Sequence, residues 1–181
     1  MSEHVIALDP GGRSGWASAT MSEDRMVVTG GGVLRMDLMA DWLAQAQGIG
    51  PAGGGTLWDS GINEWERIPV PRKPTFDVVV YESWKPRRDE QGRLDWIEGS
   101  DLLNAQHVGQ VRWIALASGA KVVEQHPSDK PQALASMPEA IRDLDRFSNE
   151  QHDKDARMHL WLYFFREWFS ARKDPEHTVV T

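Results

Sequence analysis

The chain has 181 residues, 40% of them hydrophobic and 26% charged, which suits one globular domain over 1–181 and leaves little room for a second. It contains no cysteine, so disulfides and thiolate metal sites are excluded and any ion must be held by oxygen or imidazole ligands. The formal charge of -7 argues against a nonspecific coat for nucleic acid, yet a chain that is acidic overall can be basic locally, so net charge leaves the partner undecided.

The first element, HVIALDPGGRSGWA, is an apolar run from Val5 to Leu8 that ends in Asp9 and is stopped by Pro10, Gly11 and Gly12. That puts a carboxylate at the C-terminal edge of a buried strand, where open α/β sheets place their chemistry. An acid before Pro-Gly also serves as a plain turn cap, and this stretch alone does not choose between the two. Gly15 to Thr20 and Met26 to Leu34 read as antiparallel strands, and residues 36–47 as a helix burying Leu38, Met39, Trp42, Leu43 and Ala46, ended by Gly48 and Gly50. Residues 48–75, with four prolines and three consecutive glycines, read as an irregular loop pinned by Trp58 and Trp65.

FDVVVYESW repeats the first pattern, a continuous apolar strand ending in an acid, with alternation setting Val78, Val80 and Glu82 on one face. Residues 101–118 predict a helix with Leu103, Val108, Val111, Ile114 and Ala115 inward, stopped by Gly119. KVVEQHP is a fifth strand, Pro127 to Ser136 a helix capped by Ser128, and a last helix runs from about His152 to Ala171. The expected architecture is α/β, a five-stranded mixed sheet flanked by helices. No apolar run approaches the roughly 20 residues of a membrane span and the N-terminus is polar, so a cytoplasmic protein with no membrane partner is expected.

The last helix opens on HDKD. At about 100° per residue, His152 and Asp155 share nearly one face while Asp153 points elsewhere. Acids at a helix N-terminus commonly do no more than complement its dipole, a reading that weakens when Asp9, Glu82 and this cluster all end elements able to converge on one sheet edge.

Taken in order, LDPGGRSGWA, VVVYESW, NAQHVGQVRWIALASGAKVVEQHPSDK and HDKDARMHLWLYFF resemble the RuvC family of Holliday junction resolvases. The resemblance spans nearly the whole chain and implies a ribonuclease H-like fold. It implies Asp9, Glu82, His152 and Asp155 as catalytic residues, with Asp9, Glu82 and Asp155 binding two Mg2+ or Mn2+ ions that clamp a phosphodiester during hydrolysis. It further implies branched DNA as partner, a homodimer, and an aromatic that enters the junction crossover, for which Trp84 is the nearest candidate against the plainer reading of a buried Trp. The chain departs from the family between the fifth strand and the last helix, where residues 131–149 hold neither lysine nor glycine. Lys130 stands one position from the family's first lysine there. Lys85, Arg87, Arg88 and Arg93, just beyond Glu82, are the other candidates for phosphate contacts, unless they form a solvated surface loop.

Trp161, Phe164, Phe165, Trp168 and Phe169 make the last helix apolar nearly all round, mostly as core with an excess able to seat a dimer. His4, His107, His126, His159 and His177 lack metal-ligand spacing and read as structural or exposed. Two other functions stay open: a noncatalytic DNA-binding module of the same fold, and a small phosphotransfer protein of the actin-like superfamily. The second would need a further glycine-rich phosphate loop, which the sequence lacks.

Overall fold

The computed structural model describes residues 2–23, 25–49, 57–59, 64–66, 75–84, 99–142, 150–169 and 179–180. Strand β1 (Ser2–Asp9) pairs antiparallel with β2 (Arg13–Ser22), which pairs antiparallel with β3 (Arg25–Arg35). Helix α1 (Met36–Ala46) follows and buries the five residues its spacing predicts. Within 48–75, β4 (Leu57–Asp59) and β5 (Glu64–Glu66) form a separate antiparallel pair with Trp58 opposite Trp65. This segment was expected to be irregular; three-residue strands are too short for alternation to register in the sequence.

Strand β6 (Val78–Glu82) runs parallel to β1, and β7 (Lys121–Gln125) parallel to β6 after helix α2 (Gly99–Ala117). A 3-10 turn (Pro127–Asp129) leads into α3 (Lys130–Ser136) and the four-residue α4 (Glu139–Arg142). Helix α5 (Gln151–Phe164) continues as a π-helical turn, Phe165–Phe169. The sheet order is β7-β6-β1-β2-β3, the five strands expected, extended beside β3 by the two-residue β8 (Val179–Val180).

Each face of the sheet carries its own core. Val5, Ala7, Val78 and Val80 pack with Ala17, Ala19 and Met21 against Ala156, Leu160 and Tyr163 of α5. Ile6, Leu8, Val79 and Tyr81 face the opposite way, onto α1 and the Val111, Ile114 and Ala115 stripe of α2. The strict alternation sends Asp9 and Glu82 to the α5 side, and the parallel register of Leu8 with Tyr81 sets them side by side.

Two helical expectations need correction. Leu103 is half exposed, because the inward stripe of α2 passes through the buried His107 instead. On α5, Trp161 and Phe164 are buried, and Phe165 and Trp168 pack on the same core, so these four are taken up by the core and leave no excess for a partner. The apolar surplus lies on α2, where Leu102, Leu103, Trp113 and Leu116 are all at least 50% exposed. No helix among the described residues is long and apolar enough to cross a membrane.

Helix α5 lies so close to β2 that a Cβ at Gly15 would stand 1.8 Å from the His152 carbonyl oxygen. Gly15 thus sets the height of the helix N-terminus above the sheet.

Candidate active site

The turn after β1 is tied down from the far side of the sheet. Ser14 Oγ donates to the Gly11 carbonyl at 3.1 Å, and His107 of α2 bonds the same hydroxyl through Nε2 at 3.1 Å. Burial holds His107 at about 4, well below its usual 6.5, against an opposing hydrogen bond with Gln110. The folded state therefore binds fewer protons than the unfolded chain between pH 4 and 6.5. Stability from the neutral ring is fully present above pH 6.5 and lost as pH falls through that window, by on the order of 2 to 3 kcal/mol. Asp153, raised by burial to about 6 from 3.8, pushes the other way over part of this range. Urea denaturation of wild type and His107→Gln at pH 7, 6 and 5 isolates the histidine: the advantage of wild type should shrink as pH falls, and a constant difference would place the titration elsewhere.

Asp9, at the end of β1, is buried. Its Oδ2 accepts from Nδ1 of His152 at 2.6 Å, and its Oδ1 accepts from Lys130 Nζ at 3.2 Å. The same ammonium reaches Glu82 Oε2 at 2.6 Å and Asp155 Oδ2 at 2.7 Å. Gln151, one turn before Asp155, donates to its other oxygen. Three carboxylates from three distant segments therefore surround one positive charge. Burial raises the pKa of Asp9, with Lys130 and His152 opposing and Glu82 and Asp155 adding to the rise. Glu82 is pushed up by burial too, but hydrogen bonds from His159 and Lys130 overcome this and hold it at about 2. Burial works against the Lys130 ammonium, yet Asp9, Asp155 and Glu82 raise its pKa above the usual value.

Lys130 is aimed by its local structure. The His126 ring accepts the Ser128 N–H at 3.2 Å and Asp129 accepts the His126 N–H at 3.1 Å, a reciprocal cap at the first turn. The cap is thus His126, not the expected Ser128: the cap lies two residues earlier and the chain begins to coil at Pro127, which suits a first helical position.

Asp9, Glu82, His152, Asp155 and Lys130 are brought together, while Asp153 is not. Asp153 is fully buried beneath α5, 3.6 Å from the equally buried Arg157 one turn on. Trp84 is half-buried, two residues past Glu82. Lys85, Arg87, Arg88 and Arg93 lie outside the described residues.

One site residue escaped the sequence reading. His159, buried on α5, places Nε2 2.8 Å from Glu82 Oε2 and Nδ1 2.8 Å from Gln125 Oε1. Asp9, Glu82 and His159 offer ligand atoms all within 4.8 Å of one another, a group able to hold a metal ion. The signal was in the spacing: the step that joins His152 to Asp155 reaches His159 four residues further along the same face. A site whose acids already enclose the Lys130 ammonium fits a divalent cation by the same charge logic.

No family model and no curated relative matches the sequence. Among solved structures, the chain is similar to Thermus thermophilus RuvC in complex with a Holliday junction substrate, at a TM-score of 0.53 and 16% identity, covering 91% of this chain and 94% of that one. A second Thermus thermophilus RuvC structure matches at a TM-score of 0.52 and 16% identity, covering 92% and 95%. The chain therefore has a RuvC-like fold, the ribonuclease H-like mixed sheet flanked by helices, with its acids at the edge where β1 and β6 end.

Proposed function

We propose that this protein is a metal-dependent, structure-selective endodeoxyribonuclease that hydrolyses phosphodiesters in branched DNA such as four-way junctions. The observation that carries the reading is the enclosure of one cation position by Asp9, Glu82 and Asp155, on a fold shared with a protein solved on a Holliday junction substrate. Divalent ions, Mg2+ or Mn2+ and two per site, would supply a deprotonated water and stabilise the leaving oxygen. Asp9, Glu82 and Asp155 hold that positive charge in place. His152, braced on Asp9, faces the same side and orients the scissile phosphate. Lys130, which meets all three acids, would offer its ammonium to the phosphate oxygens. Lys85, Arg87 and Arg88 neutralise the flanking backbone, and Trp84 stacks at the branch point.

Cleavage of a panel of four-way, forked, flapped and linear duplexes, with Mg2+, Mn2+ or chelator, tests the reading. Ion-dependent cutting of branched over linear DNA is the expected result; binding without cutting under every ion would leave a noncatalytic DNA-binding module.

Two cuts in a symmetric junction call for a homodimer, and α2 supplies its seat. Leu102, Gln106, Gly109, Trp113 and Leu116 repeat at alternating steps of four and three along its solvent face, the spacing of a helix-pairing seam. A Cβ at Gly109 would meet nothing within 4 Å, so a second copy of the helix can approach closely there. Trp113→Arg should convert a dimer to a monomer in sedimentation velocity without lowering thermal stability of the fold, and an unchanged species distribution would move the interface off α2.

A further inference from the structure

We infer that His159 is a direct ligand of the ion held by Asp9 and Glu82, and that it gives the site a preference for Mn2+ over Mg2+. The inference rests on the metal-dependent reading above. Three features of the chain carry it.

The first is placement. His159 Nε2 and Glu82 Oε2 are 2.8 Å apart, near the separation of about 3 Å between neighbouring ligand atoms on an ion with bonds of about 2.1 Å. The second is the support behind the ring. Nδ1–H donates to Gln125 Oε1, and Gln125 is itself buried at the end of β7, opposite Glu82 in the strand register. A ligating histidine characteristically donates its far N–H to such an acceptor, which fixes the ring so that Nε2, the atom that meets Glu82, is the one an ion would take in place of that hydrogen bond. The third is stiffness. The ring is 1% exposed on a packed helix, so it cannot swing out to be replaced by water.

Magnesium binds oxygen ligands and gives up its waters reluctantly, whereas Mn2+, though it also takes oxygen ligands, tolerates an imidazole nitrogen in place of one water better than Mg2+ does. A buried imidazole replacing one of those waters therefore favours Mn2+. Lys130 contacts the same Glu82 oxygen as His159, so an ion held there would compete with the ammonium for it.

Titration calorimetry of the DNA-free protein with MnCl2 and with MgCl2 tests this. Wild type should bind Mn2+ at least about tenfold more tightly than Mg2+, and His159→Gln should cut that ratio by about fivefold or more. An equal loss for both ions would make His159 only a positioning residue for Glu82, and no loss would remove it from the site; either outcome overturns the inference. Because a buried substitution can unfold the chain, a second measurement uses the histidine itself. Pulsed electron paramagnetic resonance of Mn2+-loaded His152→Ala should retain nitrogen hyperfine modulation, since His159 remains, and its absence would sink the proposal. Neither readout uses DNA, so failure of the nuclease reading would appear separately, as ions bound selectively by a protein that cuts nothing.

Discussion

Asp9→Asn is expected to lower single-turnover cleavage of branched DNA by at least about a thousandfold while leaving the fold and DNA binding intact. Asp9 is the acid that His152 and Lys130 both address, and burial raises its pKa against their pull. An amide keeps the shape, loses the charge, and leaves no buried carboxylate at the centre of the site. Asp155→Asn should behave alike, since its carboxylate meets the same ammonium at 2.7 Å. Asp153→Asn should not. Its neighbour is Arg157, with both side chains wholly buried, so removing the carboxylate costs stability on the order of 3 kcal/mol rather than chemistry. Cleavage rates and urea midpoints measured on all three variants separate these effects. Wild-type cleavage by Asp9→Asn would end the proposed site, and a cleavage defect in Asp153→Asn with unchanged stability would move the third acid there.

Gly15→Ala carries the largest expected structural effect. The added Cβ would lie 1.8 Å from the His152 carbonyl oxygen and 2.1 Å from its carbon, both backbone atoms that no rotamer change can move. The helix must lift from β2, and with it the buried faces of Ala156, Leu160 and Tyr163. A loss of more than about 3 kcal/mol, or a fall in Tm of roughly 10 °C, is expected by thermal and urea denaturation. Cleavage should drop further than stability, because His152 is the residue displaced. Wild-type stability in this variant would mean that α5 does not rest on Gly15.

The parts of the fold that were legible in sequence are those whose signals are local. Val5 to Leu8 and Val78 to Tyr81 announce buried strands by continuous apolar residues, and the five inward residues of α1 follow directly from helical spacing. Asp9, Glu82 and Asp155 were legible because each ends or begins such an element, and the structure does bring them together. What escaped depended on partners distant in the chain. Leu103 looked inward by periodicity, yet the buried stripe runs through His107, whose partner Ser14 lies 93 residues away. His159 has apolar neighbours in sequence and reads as core until Glu82 and Gln125 are found against it. Lys130 was legible as a cation near the site, but not as a charge seated among three acids, which depends on how the turn after β7 aims it.

The hydrogen bond from His152 to Asp9 spans 143 residues and that from Lys130 spans 121. Bridging such intervals delays assembly, since the entropy of closing long loops is lost before the contacts that repay it can form. During synthesis, Asp9 emerges early and waits with Glu82 until α5 has left the ribosome and docked. A partly made chain holds its acids apart, so the activity proposed above would arrive only with the finished fold, and a variant that slows the docking of α5 without changing where it rests would lengthen the silent interval alone.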